Sequence, residues 1–310
     1  MEKDVVSINV LNYNTYEKSK VCINSCLMQK DVSCQVLLID NHSTDDSLEK
    51  LKTEFGDRIK YLENEDNYGY AKGNNIGVKY CVEQGVKYSF LLNSDTELVG
   101  ENLLSQLVKI IKNNKLCAVV SPTIYDVTNK GLILHKNDSS YLRLLRFGCV
   151  LPNNKRIADN LWTISEAHGS ALLVDNHAFL DVGGFPEHYF MYGEESTFAK
   201  NIIWSRKNIF WYNNDKHYVL HHHDKSGNVE PWRLYLMGRN RGIEYWEHKK
   251  SHLMWPFIYR FFCFSLAIKK DRFMASYIEG LKESEILHKS GASDTILYDH
   301  AKKIRDNYGR

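Results

Sequence analysis

Short apolar runs and longer amphipathic stretches take turns along the first 125 residues. Val5 to Leu11 is a brief run rich in β-branched residues, which predicts a buried strand. Tyr16 to Met28 predicts a helix, and Gln35 to Asp40 a second buried strand. Ser43-Thr44-Asp45-Asp46 then offers a helix N-cap with acidic first-turn residues. Strands are predicted at Ile59 to Leu62, Tyr88 to Leu92 and Cys117 to Val120, with helices at Tyr70 to Val82 and Glu101 to Asn113. Strands alternating with helices imply an α/β chain with a mostly parallel sheet between helical layers. From about 126 to 165 the pattern weakens, which predicts a long loop or small subdomain. It returns with Ala167 to Val174, a Gly183–Pro186 turn, a Glu194–Ser205 helix and strands at Ile209–Tyr212 and Tyr218–His221.

In open α/β sheets the ligand sits beyond the carboxyl ends of the strands. Four strand ends here carry Asn12-Tyr13-Asn14, Asp40-Asn41, Asn67 and Asn93-Ser94-Asp95. One such ending is a turn signal; four in succession predict a polar pocket along one edge.

Composition narrows the choice by exclusion. Forty Lys+Arg against 38 Asp+Glu leave +2, far from the concentrated basic charge of nucleic-acid modules. Seven cysteines are an odd number with no Cys-x-x-Cys, and predict free, reduced thiols in a cytoplasmic setting. No secretory leader is visible, and no stretch reaches the roughly 18 uninterrupted apolar residues of a spanning helix.

Several positions could carry chemistry, each with a plainer alternative. Asp95, in the turn after a buried strand, is placed to hold Mg²⁺ or Mn²⁺ together with substrate phosphates, or else Asp95 or Thr96 caps the next helix. Asp40 can accept hydrogen bonds from a ribose or base, or form an Asx-turn. Gly69, Gly73 and Gly77 open a helix whose N-terminus favours phosphate, in neither a dinucleotide nor a Walker pattern. Glu194-Glu195 can split their pKa values so that one takes a proton, or simply enrich a first turn in acid. His221-His222-His223 puts His221 and His223 on one strand face as metal ligands, or forms a solvated loop.

The order of these segments resembles family 2 glycosyltransferases of the GT-A fold: Val6 to Asn14, Leu38 to Asp45, Asn67 to Asn75 and Leu92 to Glu97. Gly183-Gly184-Phe185, Phe190 to Glu195 and His221 to Ser226 look most like their rhamnosyltransferase and galactofuranosyltransferase branch. The resemblance runs from about 5 to 245 and ends in Gly238-Arg239-Asn240-Arg241. It implies a GT-A catalytic domain over 1–230, with a nucleotide-sugar half to about 125 and an acceptor half beyond it. Asn12, Asn14, Asp40, Asn67, Gly69, Lys72, Asn74, Asn93 and Asp95 would line the donor. Asp95 would bind the metal, with His221 as second ligand and His223 beside it. Glu195, assisted by Glu194, would be the catalytic base; His168, Gly169 and Ser170 would border the sugar or acceptor. The implied activity is inverting, metal-dependent transfer from a dTDP- or UDP-sugar to a surface-polysaccharide precursor on a lipid. This sequence departs from the family where Asn93 opens the Asp-x-Asp motif, where Glu195 replaces the usual Asp, and at Thr197.

Residues 231–310 read as a helical C-terminal appendage, aromatic and basic. Pro231 to Arg272 holds nine Lys/Arg against three acids, and Trp255 to Ile268 is almost wholly apolar. That suits an interfacial helix at the inner face of the cell membrane, or a core helix packed on the main domain. A homodimer is compatible with the sequence. The competing functions are a nucleotidyltransferase, which would need a Gly-rich phosphate loop near Asn12, and a non-catalytic sugar-binding scaffold.

Overall fold

The computed structural model describes residues 5–135, 154–222, 230–248 and 272–308. The parallel half of the main sheet follows the apolar runs: β1 (Val6–Asn12), β2 (Cys34–Asp40), β3 (Lys60–Glu63) and β4 (Tyr88–Asn93). Their partners are α1 (Tyr16–Leu27), α2 (Ser47–Phe55) and α3 (Gly69–Glu83). After β4 come β5 (Thr96–Val99), α4 (Leu103–Asn113), β6 (Cys117–Thr128) and β7 (Gly131–Leu134). β8 (Lys155–Ala158), β9 (Leu161–Ile164), β10 (Ala171–Asp175) and α5 (Asn176–Asp181) follow. α6 (Glu194–Trp204), β11 (Asn208–Tyr212) and β12 (Tyr218–His221) lead to α7 (Pro231–His248), α8 (Arg272–Lys289) and α9 (Asp294–Tyr308).

The main sheet has the order β3-β2-β1-β4-β10-β6-β11-β9-β8. β1 runs parallel to β2 and β4, while β10 is antiparallel to β4 and β6. Strands from before and after residue 125 thus share one sheet. Both faces are buried. Val6, Ile8 and Val10 of β1 pack with Leu103, Leu104, Leu107 and Ile111 of α4, whose i, i+1, i+4, i+8 spacing makes an apolar stripe. Leu37 and Ile39 of β2 face the other way, toward Cys81 of α3.

Two sequence expectations change here. The weak pattern after residue 125 does not end the sheet, because β6 continues to Thr128. Its first half pairs with β11 and its second half with β12 and β7, so it serves two sheets in turn. Pro122 stands at the change-over, where one missing N–H is tolerated. Second, Asp95-Thr96 does not cap a helix. Thr96 opens β5, which pairs antiparallel with β12 so that Thr96 faces His221; the next helix starts at Leu103 behind Asn102.

The glycines of α3 are explained by packing. A β-carbon at Gly73 would collide with Leu11 and Asn41, and one at Gly77 with Ile39. The helix lies this close to β1 and β2 because those positions have no side chain. The five described cysteines, Cys22, Cys26, Cys34, Cys81 and Cys117, are all unpaired, and Cys22 and Cys26 share the buried face of α1. Among the described residues no helix is long and apolar enough to cross a membrane. Trp255 to Ile268 lies outside the described residues, as does His223.

Candidate active site

A cavity of about 960 Å³ opens beyond the carboxyl ends of β1, β2 and β4. Asn12, Asn14, Asn67, Gly69, Asn93 and Asp95 line it, as the strand-end pattern predicts. Asn14 takes a left-handed conformation (φ 53°) and its Oδ1 accepts from the Thr44 amide, tying the first loop to the second.

Other expected donor residues are placed elsewhere. Asp40 is buried behind the wall, where its carboxylate accepts from Asn12 Nδ2 (2.7 Å), the Ser43 amide (2.8 Å) and the Ser43 hydroxyl (2.6 Å). It shapes the pocket by fixing Asn12 and Ser43. Asn74 is buried and donates to the Tyr70 carbonyl. Lys72 Nζ sits 4.1 Å from the Tyr68 ring centroid and 5.6 Å from that of Tyr298, and borders a separate cavity of about 500 Å³. The N-terminus of α3 does not wait for phosphate: the Phe190 carbonyl accepts from the amides of Tyr70 and Ala71. Gly69 (φ 72°) is glycine because Phe190 occupies the space of a side chain.

The β5–β12 pairing brings Asp95 and His221 together, with the carboxylate 3.4 Å from Nε2. On the ring's other side Asp126 of β6 lies 3.1 Å from Nδ1. Burial works against charge on the imidazole, but Asp126 and Asp95 outweigh it and lift its pKa to about 9. Burial alone would raise Asp95 as well, yet His221 holds its carboxyl below the usual range. The His168 ring packs edge-on against His221, and His135 packs on His168. Among the described residues no group of three or more His, Cys, Asp or Glu is arranged to hold a metal. One carboxylate and one oriented imidazole do suit a hard cation that keeps several water and phosphate ligands.

The His168-Gly169-Ser170 turn joins this pair to the paired glutamates. Ser170 O accepts from the Asn93 amide (3.1 Å), and His168 Nδ1 accepts from the Ser170 amide (3.3 Å). Gly169 lies flat against Glu195, where any β-carbon would overlap Oε1. Glu195 is half-buried at the start of α6, and burial raises its pKa to about 7, with Glu166 adding to the rise. Glu194 points into the interior at 2% exposure, and burial, then the charge of Glu195, push its pKa well above the carboxylate range. Glu194 is therefore the buried member of the pair and Glu195 the accessible carboxylate.

Residues 7–179 match the profile of Glycosyl transferase family 2, more than half of the chain. The chain belongs to the family 2 glycosyltransferases. This member is similar to the low-salt glycan biosynthesis hexosyltransferase Agl10 of Haloferax volcanii, with 28% identity over 63% of this chain and 61% of the relative. It is also similar to the UDP-Glc:alpha-D-GlcNAc-diphosphoundecaprenol beta-1,3-glucosyltransferase WfgD of Escherichia coli, with 32% identity over 37% of this chain and 44% of the relative. Each match spans less than two thirds of the relative's own length. In fold, GalNAc-T7 with UDP, GalNAc and Mn²⁺ superposes with a TM-score of 0.61 at 13% identity, over 99% of this chain and 58% of that one. Residues 1–349 of S. aureus TarS with UDP-GlcNAc give 0.56 at 18% identity, over 98% and 92%. The architecture of this glycosyltransferase is the GT-A fold.

The C-terminal helices supply what the strand-end pattern could not reveal. Trp232 and Arg233 of α7, and Arg305 and Asp306 of α9, line the cavity opposite the strand ends. Arg305 stacks over Tyr13, its guanidinium carbon 4.5 Å from the ring centroid. Lys302 of α9 pairs with Asp66 at the rim. The aromatic, basic composition of residues 231–272 suits a membrane surface or a core helix in the sequence, whereas Arg233 of that segment lines the cavity.

Proposed function

We propose that this protein is an inverting glycosyltransferase that moves a sugar from a nucleoside diphosphate donor to a hydroxyl of a glycan or lipid-linked glycan. One observation carries the reading. The 168–170 turn touches the Asp95–His221 pair on one side and Glu195 on the other. An acceptor hydroxyl at that turn lies between a diphosphate-binding side and a base.

Asn14 and Asn67 on the cavity wall offer uncharged hydrogen-bonding groups to the base and ribose, while Asn12, buried and hydrogen-bonded to Asp40, supports that wall. Arg233 supplies positive charge for the diphosphate. Its Nε is buried without a hydrogen-bond partner among the described residues, and its guanidinium carbon lies 5.4 Å from the Trp232 ring centroid. Asp95 and His221 are the residues that would hold Mn²⁺ or Mg²⁺, with Asp126 fixing the imidazole. The bound ion supplies Lewis-acid stabilisation of the departing diphosphate. Mn²⁺ accompanies GalNAc-T7 and a Pyrobaculum calidifontis mannosyltransferase in their structures, which supports a divalent cation here.

Glu195 accepts the proton of the acceptor hydroxyl as its oxygen attacks the anomeric carbon from the face opposite the diphosphate. A pKa near 7 keeps about half of the carboxylate basic at neutral pH, close to the optimum for a general base. The ordered motifs support rhamnose, a deoxyhexose, or galactofuranose, a hexose, carried by dTDP or UDP; the H. volcanii relative is a hexosyltransferase and the E. coli relative a glucosyltransferase. The diphosphoundecaprenol acceptor of the E. coli relative supports a lipid-linked acceptor and peripheral contact with the inner face of the cell membrane.

Replacing Glu195 by Gln tests the reading. Transfer from a panel of UDP- and dTDP-sugars should stop, while UDP or dTDP still binds by calorimetry. Turnover near that of the wild type would remove Glu195 from its role.

A further inference from the structure

The Gly238–Arg241 motif lies in the middle of α7, and none of its residues lines the donor cavity. Its side chains hold another element. The Asn240 amide nitrogen lies 3.1, 2.7 and 2.8 Å from the carbonyl oxygens of Tyr189, Met191 and Tyr192. Two N–H groups serve three acceptors, so at least one hydrogen is shared. The other end of the amide is equally fixed, because Asn240 Oδ1 accepts from Arg239, and Arg239 also donates to the Leu297 carbonyl of α9. Arg239 and Asn240 are 0% and 1% exposed.

The turn they hold is an unfavourable one. Phe190 (φ 65°), Tyr192 (φ 71°) and Gly193 (φ 97°) all lie in the left-handed region, two of them non-glycine. Such a backbone persists only where its surroundings over-determine it. Gly193 leads directly into Glu194-Glu195, and Phe190 in the same turn caps α3.

We propose that Asn240 is a positioning residue for Glu195, its side chain clamping the 189–193 turn so that α6 presents the carboxylate against Gly169. This rests on Glu195 being the base. Arg239 acts behind it by locking the amide orientation, so the C-terminal helices brace the catalytic turn. The carboxylate itself is faced by Glu194, Glu166, Arg241, Tyr70 and Tyr192, the last of them part of the turn.

The test uses the full chain with Asn240→Asp, which sets a carboxylate oxygen against the carbonyls, and Asn240→Ser, a milder variant should the first not fold. Two readouts need no donor. Hydrogen exchange followed by mass spectrometry should rise at least tenfold across residues 187–196 and stay unchanged in β1 and β4. Labelling of Glu195 by a carbodiimide with glycine ethyl ester should shift its pH midpoint down toward the ordinary Glu value of about 4.3. Unchanged exchange at 187–196, exchange that rises throughout the protein, or a Glu195 midpoint that stays put while the turn loosens would each overturn the proposal. Failure of the base assignment is seen separately, as transfer by Glu195→Gln.

Discussion

Asp126 meets His221 at Nδ1 across 3.1 Å, while Nε2 of the same ring faces Asp95 at 3.4 Å. A carboxylate on each ring nitrogen fixes the imidazole plane. If Asp95 and His221 hold a cation as proposed, the Asp126 bond would keep the proton on Nδ1 and leave Nε2 as the ligating nitrogen. Losing such an outer partner typically costs about 10- to 100-fold in metal affinity. Asp126→Asn should weaken Mn²⁺ binding by that factor in a titration with UDP present. Equal affinity in variant and wild type would show that His221 is not a ligand oriented in this way.

With Glu195 as the proposed base, a pH dependence follows. Burial raises its pKa to about 7, and a base acts only when deprotonated. The turnover number should therefore climb tenfold per pH unit well below 7 and level off above it. A residue with an ordinary carboxylate pKa would already be level at pH 6. A flat profile between pH 5.5 and 8 in the Glu195 enzyme contradicts the assignment.

Gly169→Ala tests the contact between the 168–170 turn and Glu195, the proposed base. The added β-carbon falls on the Glu195 carboxylate, and the flexible end of a side chain can move aside. Stability should change little. A carboxylate displaced by about 1 Å is expected to lower the turnover number by about 100-fold. Loss of turnover with an unchanged melting temperature and unchanged nucleotide affinity is the expected pattern. A variant as active as wild type would separate Gly169 from the base.

β1, β2 and β4 are legible in the sequence because they are buried on both faces and read as continuous apolar runs, as in Val36 to Ile39. β5 is not legible. Thr96 to Val99 is four residues long and makes sense only against Tyr218 to His221, more than a hundred positions away. The pairing of Asp95 with His221 depends on that register. Gly69, Gly73 and Gly77 were visible as a pattern but not as to cause, since close approach by protein and by ligand demand the same residue. Arg233 and Arg305 reach the cavity only because α7 and α9 fold back across it.

Arg233 makes the diphosphate side testable. Its Nε has no hydrogen-bond partner among the described residues, and it shares the cavity with Asp95. A hydrogen bond to a charged group contributes about 1.5–3 kcal/mol. Arg233→Ala should thus weaken UDP or dTDP binding by roughly 10- to 150-fold. The free nucleoside, which lacks the phosphates, should bind both proteins equally. A parallel loss for nucleoside and diphosphate would place Arg233 at the base instead.

Glu244 sets the stability of the brace between α6 and α7. It is 4% exposed and accepts from Lys200, Ser196 (2.8 Å) and Arg241. Burial opposes its charge, but Arg241 and then Lys200 override that and lower its pKa from 4.5 to about 2. Glu244→Gln takes from the buried Lys200 the carboxylate it pairs with and removes one of the acids beside Arg241, which costs about 3–5 kcal/mol. The sign of the pH effect is set by the lowered pKa. The stabilisation from Glu244 is fully present above about 4.5 and is lost as pH falls toward 2. Glu195 has the opposite sign in a different window, because its raised pKa removes stability as pH rises from 4.5 through about 7. Urea unfolding at pH 3 and at pH 8 separates the two. Glu244→Gln should close most of its gap to wild type at pH 3, whereas Glu195→Gln should gain on wild type at pH 8. A Glu244→Gln deficit that is the same at both pH values would mean that its carboxylate is not held by Lys200 and Arg241.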